Sequence, residues 1–236
     1  MRLVRTGPAV GLSAHVGALA ALSVTVGLGW AGWAAGLGYA VVTAVVLTYG
    51  LIRTGARDFG PADWVTQVRA VLVGLVTALT AAAFERPPAV VLLVSITIVA
   101  LLLDALDGHV ARRTGTASGF GARFDMEADA FLLLVLSVYA AQSMGAWVLA
   151  IGGMRYVFVA AGWLLPWMRR RLPPRFWRKV VAATQGVVLV VAASGLIPTA
   201  LMALVLAGAL ALLVESFGRD VLWLWQHPAR QSTAVA

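Results

Sequence analysis

Hydrophobic positions in this chain come in long unbroken runs, not in narrow stripes or in strict alternation. Eight runs stand out, at roughly 10–33, 36–52, 64–83, 88–106, 122–142, 145–167, 180–196 and 199–217. A membrane-spanning helix needs about 20 mostly apolar residues, so each run predicts one span. Barrel strands are excluded, because they are shorter and alternate apolar with polar positions. The first run follows Arg2 and Arg5 and so has the outline of a signal peptide. It is longer than a typical signal core, however, and leads straight into a second apolar run. The pattern predicts an all-α, polytopic integral membrane helical bundle.

Composition sharpens this. Of 236 residues, 61% are hydrophobic and 12% charged, and the mean hydropathy is +0.90. Soluble domains run nearer half apolar and a quarter charged, so an ordinary soluble globule, a disordered tail and a fibrous repeat are all excluded. Cysteine is absent, which removes disulfides, thiolate metal sites and thiol catalysis. A net charge of +8 would fit a nucleic-acid partner, but the placement of the basic residues argues for none. Arg2, Arg5, Arg53, Arg57, Arg112, Arg113, Arg123, Arg169, Arg170, Arg171, Arg175, Arg178, Lys179, Arg219 and Arg230 fall before the first run or in every second connection. Of the opposite connections, only the one with Arg86 is basic. Such a bias predicts a multi-pass cell-membrane protein with both termini and the longer connections in the cytoplasm. The basic stretch 168–179 reads as a loop that also suits anionic lipid head groups. No internal repeat and no separate soluble domain is evident.

The acidic residues are few and clustered. Ten occur in the chain, and Asp104, Asp107, Asp125, Glu127 and Asp129 crowd into one short segment. Asp104 and Asp107 share a face at the end of the fourth run, and Asp125 and Asp129 share a face at the start of the fifth. The turn from Thr114 to Gly121 allows the two helices to lie side by side, with four carboxylates meeting at the membrane edge. Carboxylates so placed are costly and repel one another, so positive charge belongs between them. Hard oxygen donors without nearby His or Cys favour Mg²⁺, Mn²⁺ or Ca²⁺ over zinc. Four carboxylates could hold two such ions and grip phosphate oxygens. Two other readings stay open on spacing alone: helix-end acids paired with Arg112, Arg113 and Arg123, or the cation path of an ion-coupled transporter. Gly108, Ala111 and Gly121 are small enough for a phosphate or nucleotide to approach the backbone, and Arg112 can bond phosphate in a paired fashion. Helix packing would use the same glycines.

Asp104-Ala-Leu-Asp107-Gly108-His-Val-Ala111-Arg112, followed by eight residues, Gly121, three residues, Asp125, three residues and Asp129, resembles the signature of the CDP-alcohol phosphotransferase (CDP-alcohol phosphatidyltransferase) family. Every fixed position of that signature, D-x-x-D-G-x-x-A-R-x8-G-x3-D-x3-D, is matched at its spacing. The resemblance implies that Asp104, Asp107 and Asp125 ligate a first divalent cation, and that Asp104, Asp125 and Asp129 lie near a second. Mg²⁺ or Mn²⁺ would be the metal, and Asp129 the general base. Gly108, Ala111, Arg112, Ser118 and Gly121 would line the CDP pocket. Asp63, Trp64, Val65 and Thr66 resemble the short motif that opens the family's first core helix and contacts the CDP head group. The resemblance further implies six core helices around a cavity open to the cytoplasm and the inner leaflet, and a homodimer. It also implies transfer of a phosphatidyl group from a CDP-alcohol to a small acceptor with release of CMP, in phospholipid biosynthesis. CDP-diacylglycerol would be the donor, and glycerol 3-phosphate or another polyol or polyol phosphate the acceptor.

On this reading residues 1–60 hold two N-terminal spans with no assigned role, 61–217 the six-helix core, and 218–236 a cytoplasmic tail. Arg155, near the middle of the sixth run, should face the interior and meet an anion, either acceptor phosphate or a structural partner. Lys179 and Gln185, with Thr184, resemble the acceptor-side stretch of phosphatidylglycerophosphate-synthase-like members. Arg178 departs from the Gly of that stretch. Glu127 should turn away from the motif aspartates. His15 and His109 have no ligand-spaced partner and read as packing or interfacial residues. The tryptophans near run ends, including Trp64, Trp163 and Trp167, read as an interfacial belt.

Overall fold

The computed structural model describes residues 6–54, 61–114, 119–170, 172–173 and 175–227. Among them are eight α-helices and no strand: α1 (Thr6–Val26), α2 (Trp30–Thr54), α3 (Pro61–Ala82), α4 (Val90–Thr114), α5 (Gly119–Met144), α6 (Leu149–Leu164), α7 (Phe176–Ser194) and α8 (Thr199–Gln226). By length and composition, α1, α2, α3, α7, α8 and the stretch Ala146–Leu164 that ends in α6 can each cross a membrane. A shorter apolar stretch of α4, Val90–Asp104, ends where the acidic cluster begins. The chain is a multi-pass helical membrane protein. Its backbone clusters into two compact units, one reaching to Tyr139 and one starting at Ala140.

Several boundaries differ from those read in the sequence, and two of the differences have a visible cause. The first apolar run was expected to continue to residue 33, but the chain breaks at 27–29. Gly27 takes a left-handed φ of 68°, and its N–H closes α1 on the Ser23 carbonyl at 2.9 Å. A left-handed residue ends a helix, and glycine takes it without a Cβ penalty. The break is stabilised from the α3–α4 connection. Glu85 Oε1 accepts a hydrogen bond from the Ala31 backbone N–H at 3.3 Å and so caps α2. This cap comes from 54 residues away, which hides it from local pattern. At the other end, α8 was expected to stop near residue 217 and give way to a tail. It continues to Gln226, because buried Ser216, Asp220 and Leu224 keep the i,i+4 spacing of an interior face.

In the first unit α3 is the central element, packed on α1, α2 and α4. Ala70, Val73, Val76 and Ala78 are fully buried along it. Lipid tails are as apolar as these side chains, so helix association relies on close packing at small residues. Gly36 of α2 shows this: a Cβ there would lie 2.7 Å from Leu19 and 3.1 Å from Ala78. Hydroxyls within the helices bond back to carbonyls four residues earlier, as at Thr48, Thr77, Thr97 and Ser137, which satisfies them where no water is available. Helix α2 also meets α5. Leu47, Ala70 and Phe124 form one buried cluster, and Tyr39 stacks on Phe131 with ring centroids 5.0 Å apart.

In the second unit α7 packs on α8 over buried Leu189, Met202 and Leu206. Gly195, at φ 66°, ends α7. The two helices are joined by polar contacts toward the start of α7. Trp177 Nε1 donates to Glu215 at 3.1 Å, and Arg178 Nε lies 3.4 Å from buried Asp220.

Candidate metal centre

Helices α4 and α5 carry the acidic residues, and α3 carries the group that joins them. Asp104 stands on α4, Asp125 and Asp129 one turn apart on α5. One carboxylate oxygen from each lies within 4.8 Å of the others. That is the three-residue set the signature implied for the second cation. The oxygen-only donor set suits a hard divalent ion, and the short separations between anions demand a positive charge among them. The residues present therefore fit the Mg²⁺ or Mn²⁺ that the signature implies.

The sequence reading overlooked Arg69. It is 1% exposed and reaches the cluster from α3. Its Nη1 donates to Asp104 Oδ1 at 2.5 Å, its Nη2 donates to Asp125 Oδ1, and Nη2 is 3.7 Å from Asp129 Oδ1. A planar guanidinium can span carboxylates on two helices, whereas an ammonium is a point charge. The signal was available. An arginine inside an apolar run is costly unless it meets an anion, and Arg69, like Arg155, stands inside such a run. Arg69 also follows Thr66 by three residues, which puts both on one side of α3.

Phe124 and Phe131 flank the two α5 aspartates in sequence, and both are held by α2. Helix α2 thus bears on the part of α5 that carries the carboxylates. Glu127 is exposed and stands apart from the three grouped aspartates, as helix geometry predicted.

The other expected site residues fall in three groups. Trp64, Val65 and Thr66 lie in the first turns of α3, with Trp64 exposed and the other two half-buried. Gly121 is half-buried one turn before Asp125. Asp107, Gly108, Ala111 and Arg112 fall in the last turns of α4, and Asp63 in the first turn of α3. The side chains of these five positions lie outside the described residues, as does Ser118 entirely. Arg155, Lys179 and Gln185 belong to the second unit. Arg155 is half-buried on α6 and Lys179 exposed on α7. Gln185 is buried, and its Nε2 donates to the Ala209 carbonyl of α8 at 2.8 Å. Of the tryptophans expected near run ends, Trp64 and Trp163 are exposed and Trp167 is half-buried. His15 packs inside the first unit, its ring 6.1 Å from that of Tyr39.

A family model, CDP-alcohol phosphatidyltransferase, matches residues 59–214, which span α3 to most of α8 and leave α1 and α2 outside. No curated protein and no solved structure matches the chain.

Proposed function

The chain belongs to the CDP-alcohol phosphatidyltransferase family, and from that premise we propose that it builds a phospholipid, taking the phosphatidyl group of CDP-diacylglycerol to a small polyol or polyol phosphate such as glycerol 3-phosphate. That it is a membrane enzyme moving a substituted phosphoryl group from a CDP-alcohol to an alcohol follows from the family itself. The donor, the acceptor, the release of CMP, homodimer formation and a cytoplasm-facing site in the cell membrane are the proposed part.

One observation carries the reading: Asp104, Asp125 and Asp129 gather their oxygens within 4.8 Å inside the matched region, at the spacing of the signature. These three, with Asp107, would hold two divalent cations, Mg²⁺ or Mn²⁺. Bound there, the cations supply neutralisation of the pyrophosphate charge. Gly108, Ala111 and Gly121 leave room for the nucleotide backbone, Arg112 meets phosphate, and Asp63 to Thr66 with Ser118 contact the CDP head group. Asp129 accepts the proton of the acceptor hydroxyl. The acceptor oxygen forms a bond to the phosphorus that bears the lipid alcohol. The bond from that phosphorus to the bridging oxygen of CMP breaks, and CMP leaves with the electron pair. Arg155, Lys179 and Gln185 are proposed for the acceptor side, where a phosphate needs cationic or hydrogen-bonding partners.

The test is direct. Purified protein is incubated with CDP-diacylglycerol, Mn²⁺ and a panel of polyols and polyol phosphates, and CMP is measured. Release of CMP that depends on one acceptor supports the reading. No CMP with any acceptor, from protein that CDP and Mn²⁺ still stabilise, would exclude CDP-diacylglycerol as donor.

A further inference from the structure

We infer that Arg69 is a built-in stand-in for the metal: its guanidinium holds the carboxylates of α4 and α5 together in the metal-free protein and competes with divalent cations for the same oxygens. The inference rests on the metal-centre reading above and deepens it.

Asp104 Oδ1 and Asp125 Oδ1 receive Nη1 and Nη2 of Arg69. The same two residues, with Asp129, form the group whose oxygens come together as a cation site. One set of anions thus serves two kinds of cation. Arg69 cannot relieve the conflict by losing its proton, because a guanidinium stays charged in proteins. Nor is it screened by water, being 1% exposed while its partners are about a third exposed. Without its charge, the carboxylates of the two helices would repel one another more strongly, which works against the approach of α4 and α5. With it, an entering divalent ion meets carboxylates already partly neutralised and a buried positive charge close by. Arg69 therefore lowers the affinity of the site for metal while keeping its geometry ready, and it acts as a positioning residue, not a catalytic one.

The two effects have opposite signs, so one variant separates them. In Arg69→Gln, the metal-free protein should melt at a lower temperature in detergent, since the repulsion is uncovered. Its Mn²⁺ dissociation constant, read by titration calorimetry or by the Mn²⁺ concentration that gives half the thermal shift, should fall roughly tenfold, within the usual range of coupling between two interacting sites. A residue that merely packs would lower melting temperature without tightening metal binding. Unchanged or weaker Mn²⁺ affinity in Arg69→Gln overturns the proposal. If that variant cannot be recovered folded, Arg69→Lys reads the same competition. An ammonium spans fewer carboxylates, so Mn²⁺ should still bind more tightly, by a smaller factor, and no tightening there overturns the proposal equally. Wild-type protein is the control for the reading beneath. If Mn²⁺ neither binds nor stabilises it, the metal centre and the role of Arg69 fall together. If wild type responds and the variants show no gain, Arg69 alone is reassigned.

Discussion

Asp129 and its two partners differ in how closely Arg69 holds them. The guanidinium stands 3.7 Å from the Asp129 carboxylate, against 2.5 Å for Asp104. Asp129→Asn should lower CMP release by roughly 10²–10⁴-fold, the usual contribution of a positioned base, while CDP with Mn²⁺ still raises the melting temperature. Asp104→Asn should remove both the activity and the stabilisation by CDP with Mn²⁺, since Asp104 would hold the cation that neutralises the nucleotide's phosphates. Measuring CMP release and thermal shift on the same preparations distinguishes the two roles, and equal loss of stabilisation in both variants would contradict the assignment. The acids were legible as residues because carboxylates are rare and expensive in an apolar chain. Arg69 carries the same cost and was readable by the same rule, but nothing local tied it to acids on two later helices.

Among the elements, α2 is the unexpected contributor. It lies outside the family match, yet Leu47 shares a buried cluster with Ala70 and Phe124 and Tyr39 stacks on Phe131, and these two phenylalanines bracket Asp125 and Asp129. A Tyr39→Ala, Leu47→Ala double variant should therefore lose turnover by up to about 100-fold, as small misplacements of reacting groups do, in protein that remains folded and dimensionally unchanged on a sizing column. Full activity in such a protein would reduce α2 to an accessory span. The α1–α2 break makes a second, separate expectation. Gly27→Ala forces a Cβ into the left-handed region, which costs about 1–2 kcal/mol, and a thermal melt in detergent should register it. Gly38→Ala, at a helical glycine with open space around it, is the matched control and should not lower the melt. The run boundaries were misread here because Leu28 between two glycines continues an apolar pattern, while the Glu85 cap that fixes the break comes from another part of the chain.

For the whole molecule, stability should depend on ligands and on a few polar contacts buried between helices. Anything that binds the native state alone stabilises it, by about 2.7 kcal/mol at a hundred times its dissociation constant. CDP with Mn²⁺ should thus raise the melting temperature, and CDP with sodium alone should not. In the second unit, Arg178→Ala would leave Asp220, 7% exposed, without its guanidinium. Breaking a buried pair costs about 3–5 kcal/mol, and the partial exposure of Arg178 places this one at the lower end or below. Adding Asp220→Asn should restore part of the loss, and failure to do so would show that Arg178 acts through its Pro173 contact instead. Asp220 also explains why α8 outran its apolar stretch: a charged residue reads as a tail, and only an arginine delivered by α7 makes it an interior position. Sequence alone determined the helical class, the membrane setting and the carboxylates of the signature, because hydrophobic run length and the rarity of buried charge are properties of the chain itself. Tertiary structure decided that Arg69 reaches those carboxylates, where α1 stops and how far α8 continues, because each depends on a partner brought close only when distant helices pack.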